Sequence, residues 1–243
     1  MDLGLQGRVA VVAASSRGLG RASAEALAAE GVRVVLGGRG EESLAEAAAS
    51  LEAAGAQVAS LAGDMADPAV PGALVDLAVE RFGRVDIVVA NAGGPPPGGA
   101  LEVDDAALGA AFEANCLASI RLARAALPHL RGQGWGRICC ISSYTIVQAS
   151  PVLSLSNSAR AALWAWAKTA AHDLAAEGAG VTVNVVCPGP HATERMRALG
   201  GGGGLPMGDP ADFGRVVAFL CSAHAGFVNG AAVVVDGGAT LAL

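Results

Sequence analysis

Short runs of β-branched residues alternate with alanine-rich stretches along the whole sequence, and this rhythm limits the possible folds more than any other feature. Most of the runs are nearly continuous in apolar residues, as strands buried on both faces of a sheet should be. The stretches between them are long enough for right-handed helical crossovers, which join parallel strands. The runs lie at 8–13, 32–37, 57–61, 85–90, 137–142, 181–186 and 231–236. We therefore predict one α/β domain over residues 1–243, a doubly wound parallel sheet with helices on both faces.

The overall composition excludes several classes of protein. With 243 residues, 53% of them hydrophobic, the chain can bury a substantial core. The formal net charge of -6 and the absence of any block of like charges argue against a nucleic-acid partner. No secretory signal pattern and no long uninterrupted apolar stretch is present in the sequence. We expect a soluble, cytoplasmic protein that does not associate with membranes.

Neither the cysteines nor the histidines have the spacing of metal ligands. The five cysteines include no C-x-x-C pair, and the four histidines are far apart in sequence. We expect no metal site and no disulfide framework. Cys139 and Cys140 are adjacent in a strand-like run, so their side chains should point to opposite faces of the sheet. Buried, inert thiols are the favoured interpretation.

The first predicted strand leads directly into AASSRGLGRASAEAL at residues 13–27. Gly18 and Gly20 lie where the turn becomes a helix, so that backbone N–H groups and the positive end of the helix can meet a pyrophosphate. The placement favours a phosphate-binding turn. The alternative is an ordinary tight connection between a strand and a helix.

The charges around this turn indicate which dinucleotide binds. The second predicted strand ends in Gly38 and Arg39, with no acidic residue before Glu41 to hold a ribose 2'-hydroxyl. Arg17 lies in the turn itself. Two guanidinium groups that converge on a phosphate favour NADP(H), because arginine suits bidentate phosphate recognition. Each arginine could instead be a solvated surface charge.

Two glycine-rich loops follow the carboxyl ends of predicted strands, where ligands bind in open α/β sheets. NAGGPPPGGA occupies residues 91–100, and a glycine run occupies residues 200–204. The glycine run is either a substrate lid or a disordered solvent loop, since both have the same composition.

Several motifs, in this order along the chain, resemble the short-chain dehydrogenase/reductase family. They are the turn from Ala14 to Gly20, GDM at Asp64, NAG at 91–93, Asn115, ISS ending at Ser143, PG at 188–189 and VVDGG near the C-terminus. The resemblance covers nearly the whole chain and implies a Rossmann-like fold that binds NAD(P). In detail the sequence is similar to an atypical branch, likened to β-ketoacyl-carrier-protein reductases, with a serine and an arginine on the catalytic helix.

The resemblance also implies how the cofactor is bound. The pyrophosphate would lie on the glycine turn, the adenine beside Asp64 and Met65, the adenosine ribose against residues 91–93, and the nicotinamide carboxamide against residues 188–193. The family usually has glycine where this chain has Ala14. We expect the alanine to be tolerated only with a negative φ. The implied cofactor residues are Ala14, Ser16, Arg17, Gly18, Leu19, Gly20, Arg39, Asp64, Met65, Asn91, Ala92, Gly93, Arg160, Pro188, Gly189 and Thr193.

The larger departure from the family lies in SLSNSAR at residues 154–160. The family's catalytic tyrosine falls on Ser156 and its lysine on Arg160, one turn apart on a predicted helix. Serine is a poor acid, and arginine does not relay protons. Tyr144 is the only tyrosine in the chain. The alternative is structural, with Ser154 as the helix N-cap and Ser156 in the first turn.

Further candidates complete the predicted site. The resemblance places Ser143 as the group that polarises the substrate carbonyl and Asn115 as a positioning residue. His191, in PGPHAT, would lie beside the nicotinamide, and imidazole ordinarily titrates at about pH 6.5, which suits proton donation. A surface loop histidine is the equally weighted alternative.

The predicted function is an NADP(H)-dependent oxidoreductase that reduces a small or medium apolar ketone or aldehyde. The alternative is a dinucleotide-binding protein without redox turnover, such as a sensor, a partner subunit or a lyase-like enzyme with a structural cofactor. A homodimer or homotetramer is expected, because Trp164 and Trp166 lie about 200° apart on one helix and need two packing partners. The resemblance implies pairing through this helix and the one that carries Asn115.

Overall fold

Seven parallel strands form one sheet in the order β3-β2-β1-β4-β5-β6-β7 in the computed structural model, which describes residues 1–201 and 206–241. Each strand lies within or overlaps one of the seven predicted runs, so the predicted fold class is confirmed. The strands are β1 Val9–Val12, β2 Arg33–Gly38, β3 Val58–Ala62, β4 Ile87–Ala90, β5 Gly136–Ile141, β6 Val181–Pro188 and β7 Ala232–Val235.

Eight α-helices connect and cover the described strands. They are α1 Gly18–Ala29, α2 Glu41–Ala53, α3 Val70–Phe82, α4 Asp105–Phe112, α5 Ala118–Gln133, α6 Ser154–Ala176, α7 Glu194–Ala198 and α8 Pro210–Leu220. A π-helical turn, Glu113–Leu117, joins α4 to α5, and a 3-10 turn spans Tyr144–Ile146. In the described part of the chain, no helix has both the length and the apolar character needed to cross a membrane.

Two hydrophobic cores sandwich the sheet. One packs α3, α5 and α6 against one face, and the other packs α1, α2 and α8 against the opposite face. Cys140 belongs to the first core and Cys139 to the second, so the predicted alternation of these neighbours is confirmed. All five cysteines are free and buried.

The strand order reverses between β1 and β4, which opens a crevice at their carboxyl ends. Ala14 follows β1 and Asn91 follows β4, and the Asn91 amide donates a hydrogen bond to the Ala14 carbonyl at 3.3 Å. The predicted phosphate turn and the NAG segment therefore meet in this crevice. Of the predicted glycine run at 200–204, residues 202–204 lie outside the described residues.

Candidate active site

The glycine turn ends at the N-terminus of α1, as the sequence predicts. Gly18 is the first helical residue and has a φ of 60°, in the left-handed region that favours glycine. Arg17 is the N-cap residue and makes no side-chain capping bond, so the backbone N–H groups of the first turn remain available. The site can therefore bind an anion through backbone donors and the helix dipole.

Gly20 allows the first helix turn to pack closely against the crevice. A Cβ atom at this position would lie 2.3 Å from the Ala14 carbonyl oxygen and 2.7 Å from the Asn91 Nδ2 atom. Neither distance is sterically possible, so a larger residue would push the turn away from the loop that follows β4. This is the close approach that the glycine spacing indicates.

Ala14 departs from the expectation stated for it. Its φ is 46°, which makes it the only non-glycine residue with a positive φ in the ranges 1–201 and 206–241. The prediction of a negative φ was wrong, because the turn keeps the left-handed backbone of a glycine while carrying a methyl group. Such a conformation costs about 1–2 kcal/mol in a residue with a Cβ.

Arg17 and Arg39 both lie exposed beside the turn. Arg17 forms an ion pair with Glu194 at 2.9 Å, and Arg39 lies 3.9 Å from Asp64. Exposed pairs of this kind are weak, so a phosphate could displace either carboxylate. Ser16 lies near the end of β2, since a Cβ built on Gly38 would be 3.5 Å from the Ser16 Oγ atom.

The remaining predicted cofactor residues differ in their surroundings. Asp64 is half-exposed, and its carboxylate accepts a hydrogen bond from the Ala66 N–H. The side chains of Met65 and Leu19 pack into the cores on either side of the sheet. Gly93 faces open space, with no atom within 4 Å of a Cβ built there.

Arg160 is buried, and both terminal nitrogens of its guanidinium form hydrogen bonds to neighbouring elements. Its guanidinium donates to the carbonyls of Ile141 at 2.9 Å and Ser142 at 3.0 Å, and to Asn115 Oδ1 at 3.0 Å. A longer contact of 3.5 Å reaches the Ala92 carbonyl. Burial lowers the pKa of Arg160 to about 10, so the group remains charged at neutral pH. The arginine thus joins β5, the π-helical turn and the loop after β4.

Ser156 lies one turn before Arg160 and is buried, with 8% of its surface exposed. Among the residues described, no group forms a hydrogen bond with its hydroxyl. The structural alternative of an N-cap at Ser154 does not hold, because α6 begins at Ser154 and the N-cap residue is Leu153. Ser154 Oγ instead donates to the Gly98 carbonyl at 2.8 Å.

Ser143 lies at the start of the 3-10 turn that follows β5. Its Oγ atom accepts hydrogen bonds from the Thr145 N–H at 3.2 Å and the Thr145 hydroxyl at 3.0 Å. The hydroxyl proton of Ser143 is then free to be donated, as polarisation of a carbonyl oxygen requires. Thr145 is a supporting residue that no sequence motif indicates.

His191 is buried, unlike a surface loop histidine. Its Nδ1 atom lies 3.0 Å from the Gly189 carbonyl oxygen. The ring packs edge to face on Phe213, with 5.3 Å between the ring centroids. A Cβ built on Gly208 would lie 3.0 Å from the Cδ2 atom of His191. These contacts hold His191 against the helix α8 and the segment that precedes it.

Helix α7 crosses the mouth of the crevice, which the sequence did not predict. Thr193 caps α7 and lies beside the phosphate turn, 3.7 Å from a Cβ built on Gly18. Glu194 pairs with Arg17, and Arg195 donates to the Pro95 carbonyl at 2.5 Å. A short helix anchored to both the phosphate turn and the proline-rich loop covers the space between them.

The fold and crevice are those of a nicotinamide-dependent oxidoreductase, and the comparisons show the family. A family model described as enoyl-(acyl carrier protein) reductase matches residues 13–240. The chain is 30% identical to dehydrogenase/reductase SDR family member 4 of Caenorhabditis elegans, over 96% of this chain and 95% of that protein. It is 32% identical to tropinone reductase-like 3 of Erythroxylum coca, over 96% and 93%. The chain belongs to the short-chain dehydrogenase/reductase family.

Solved structures agree with this assignment. L-sorbose reductase from Gluconobacter frateurii, complexed with NADPH and L-sorbose, superposes with a TM-score of 0.92 at 32% identity and covers 100% of both chains. A short-chain dehydrogenase from Burkholderia cenocepacia in complex with NADP has a TM-score of 0.87 at 32% identity, over 96% of this chain and 98% of that one. The prediction of an NAD(P)-dependent oxidoreductase is confirmed. The close packing at Gly20 and the open approach at Gly93 fit a bound dinucleotide.

Proposed function

We propose that this protein reduces a small or medium apolar ketone or aldehyde with NADPH, in an active site where Ser156 and Arg160 replace the family's tyrosine and lysine. The observation that carries this proposal is that Ser156 lies buried one helix turn before the buried cation Arg160, whose guanidinium contacts the Ser142 carbonyl next to Ser143. The Ser143 hydroxyl has a proton to donate, and the Ser156 hydroxyl has no partner among the described residues. The reductase names of several relatives support this reaction class.

Each site residue would have a different role in the reduction of the carbonyl group. Bound NADPH supplies a hydride to the carbonyl carbon. Ser143 donates a hydrogen bond to the carbonyl oxygen, and Ser156 orients the same oxygen. The positive charge of Arg160 stabilises negative charge that develops there, although its N–H groups are largely taken by backbone carbonyls and Asn115.

The proton must come from a group other than Ser156 or Arg160, because neither is a competent acid near neutral pH. His191 and an ordered water are the two candidates. The contacts of His191 with Gly189, Gly208 and Phe213 favour water. If His191 were the donor, His191→Gln would abolish most of the turnover while leaving NADPH binding intact. If water is the donor, turnover is nearly unchanged.

The direct test is NADPH oxidation by the purified protein across a panel of ketones and aldehydes, followed by the absorbance of NADPH. We expect slow turnover that falls by roughly 10²-fold in Ser143→Ala and moderately in Ser156→Ala. Ser150→Ala, which removes a hydroxyl that has no proposed role in the reaction, is the matched control. Tight NADPH binding without oxidation across the panel would favour the alternative, a dinucleotide-binding protein without redox turnover. The fixed contacts of Arg160 and the absent tyrosine are the observations that keep this alternative open.

Preference for NADPH over NADH is part of the proposal and rests on Arg17 and Arg39. Both guanidinium groups are exposed and only weakly paired, so they can be redirected to a 2'-phosphate. Replacing both with alanine should raise the Kd for NADPH by roughly tenfold or more and leave the Kd for NADH nearly unchanged. Arg21→Ala, which removes a partly exposed arginine from α1, is the control. Equal losses for both cofactors would contradict the assignment.

A cytoplasmic homodimer or homotetramer completes the proposed description. Trp166 packs against the core beside the sheet, while Trp164 on the same helix is 37% exposed. The outward indole needs a second partner, and another copy of the chain would provide it.

A further inference from the structure

A second cavity lies at the end of the sheet opposite the crevice. It has a volume of about 510 Å³ and opens near the amino ends of β5 and β6. One wall is the second half of α6, and another is the loop 226–230 before β7. None of the proposed catalytic or cofactor residues lines it. The cavity is therefore separate from the site described above.

The lining of this cavity is basic in a protein whose net charge is -6. It includes Arg137, Lys168 and His172 and contains no aspartate or glutamate. Lys168 and His172 are four residues apart and share one face of α6. In the part of the chain that the structure describes, neither Arg137 nor Lys168 forms an ion pair. An unpaired cluster of cations is a binding environment for an anion.

Arg137 directs a donor toward the cavity. Its Nε and Nη1 atoms donate to the carbonyls of Ser222 at 3.0 Å and Gly136 at 2.8 Å. No hydrogen bond engages its Nη2 atom within residues 1–201 and 206–241, and that atom would lie 3.5 Å from a Cβ built on Gly226. Burial lowers the pKa of Arg137, because the charged guanidinium is partly removed from water. An anion in the cavity would stabilise this partly desolvated charge.

The cavity walls are held in place before any ligand binds. Asn229 accepts a hydrogen bond from the Val183 N–H at 2.9 Å and donates to the Ala171 carbonyl at 3.2 Å. These bonds fix the loop to both β6 and α6. Thr182, which also lines the cavity, is 5% exposed, and its Oγ1 atom has no partner in the described structure. A buried polar group without a partner is a feature that native structures normally satisfy with water or ligand.

We propose that this cavity binds a small organic phosphate that carries an aromatic ring. A phosphate has enough charge and acceptor oxygens for Arg137, Lys168 and His172 together. Phe227 lines the same cavity and is fully exposed, so its ring can pack against the ring of the ligand. The cationic side chains of Arg137 and Lys168 and the exposed ring of Phe227 together define the ligand class.

The test is calorimetric titration of the full chain with phenyl phosphate in the presence of saturating NADPH, which fills the dinucleotide site. We expect phenyl phosphate to bind more tightly than inorganic phosphate and phenol not to bind. Lys168→Gln and Phe227→Ala should each weaken binding by roughly tenfold without changing the Kd for NADPH. Arg215→Gln, an exposed arginine on α8, is the matched control and should have no effect.

Three outcomes would overturn the proposal. The first is no measurable binding of phenyl phosphate by the wild-type chain. The second is binding that survives both Lys168→Gln and Phe227→Ala. The third is a change in molecular mass by light scattering in Phe227→Ala, because Phe227 would then be covered by a second copy of the chain and not by a ligand. Unchanged mass together with weakened binding supports the phosphate site.

Discussion

Ala14 shows how one residue can keep the backbone of a motif after losing its glycine. Its φ of 46° is the conformation a glycine would adopt freely, and the carbonyl that it presents accepts the Asn91 amide. The methyl group therefore adds strain without changing the path of the turn.

Ala14→Gly should raise the free energy of unfolding by about 1 kcal/mol, because it removes the left-handed strain of a residue with a Cβ. Urea denaturation followed by circular dichroism measures this change. The control is Ala13→Gly, a neighbour that is fully buried in the core and has no positive φ. That substitution should lower stability by about 1 kcal/mol through the lost methyl packing. Destabilisation by Ala14→Gly would show that the strain inferred from its φ is absent.

The sequence predicts the glycine turn of this site but not the long-range contacts of its arginines. Gly18 and Gly20 were recognisable because their spacing is tied to a turn that only small residues allow. The engagement of Arg160 was not predictable, since a sequence does not show that the carbonyls of Ile141 and Ser142 converge on one guanidinium. The contact of Arg195 with Pro95 joins residues 100 positions apart, and no local pattern encodes it.

At the scale of elements, the seven strands were predictable because burial on both faces forces continuous apolar runs. The π-helical turn Glu113–Leu117 was not, because its sequence EANCL has no feature that distinguishes it from an α-helix. The turn nevertheless carries Asn115, whose side chain accepts the hydrogen bond from Arg160. An irregular element thus sets the position of a predicted site residue.

Arg160 acts at this scale, because it links α6 to β5, to the π-helical turn and to the loop after β4. Arg160→Met keeps an unbranched apolar side chain, although a shorter one, and removes the donors, so buried carbonyls and the Asn115 amide oxygen lose their partner. We expect the free energy of unfolding to fall by at least about 2 kcal/mol, in addition to weaker cofactor binding. Chemical denaturation measures the first effect and NADPH titration the second.

The matched control for Arg160→Met is Arg131→Met, because Arg131 is exposed on α5 and, among the residues that the structure describes, its side chain pairs with Glu177 alone. Its replacement should leave stability close to that of the wild type. If both variants were equally stable, Arg160 would not be the link between elements that its hydrogen bonds indicate.

At the scale of the whole molecule, the two cores keep every cysteine from solvent. Burial raises the pKa of Cys140 and of Cys187 to about 12 and also raises the pKa of Cys116. Since the thiolate is the reactive form, these groups remain protonated and unreactive at neutral and mildly alkaline pH. The interpretation of the cysteines as buried thiols is confirmed by their positions.

We therefore expect no modification of the native protein by a water-soluble disulfide reagent between about pH 7 and 9, and modification of all five thiols after denaturation. Thiol titration measures both states. Leu101→Cys places a thiol at a fully exposed position and is the positive control, which should react at once. Rapid reaction of a wild-type thiol would mean that the core opens far more easily than its packing indicates.

At the scale of the whole molecule we also predict assembly, through the outer face of α6. Trp164 is exposed there while its neighbour Trp166 packs inward, so a second copy of the chain is the expected cover for the outward indole. Trp164→Glu should lower the mass measured by light scattering at micromolar concentration, because a buried unpaired carboxylate is costly at an interface. Leu101→Glu, a fully exposed position remote from α6 in sequence, should leave the mass unchanged. A wild-type monomer, or an oligomer that Trp164→Glu does not weaken, would place the subunit contact elsewhere or remove it.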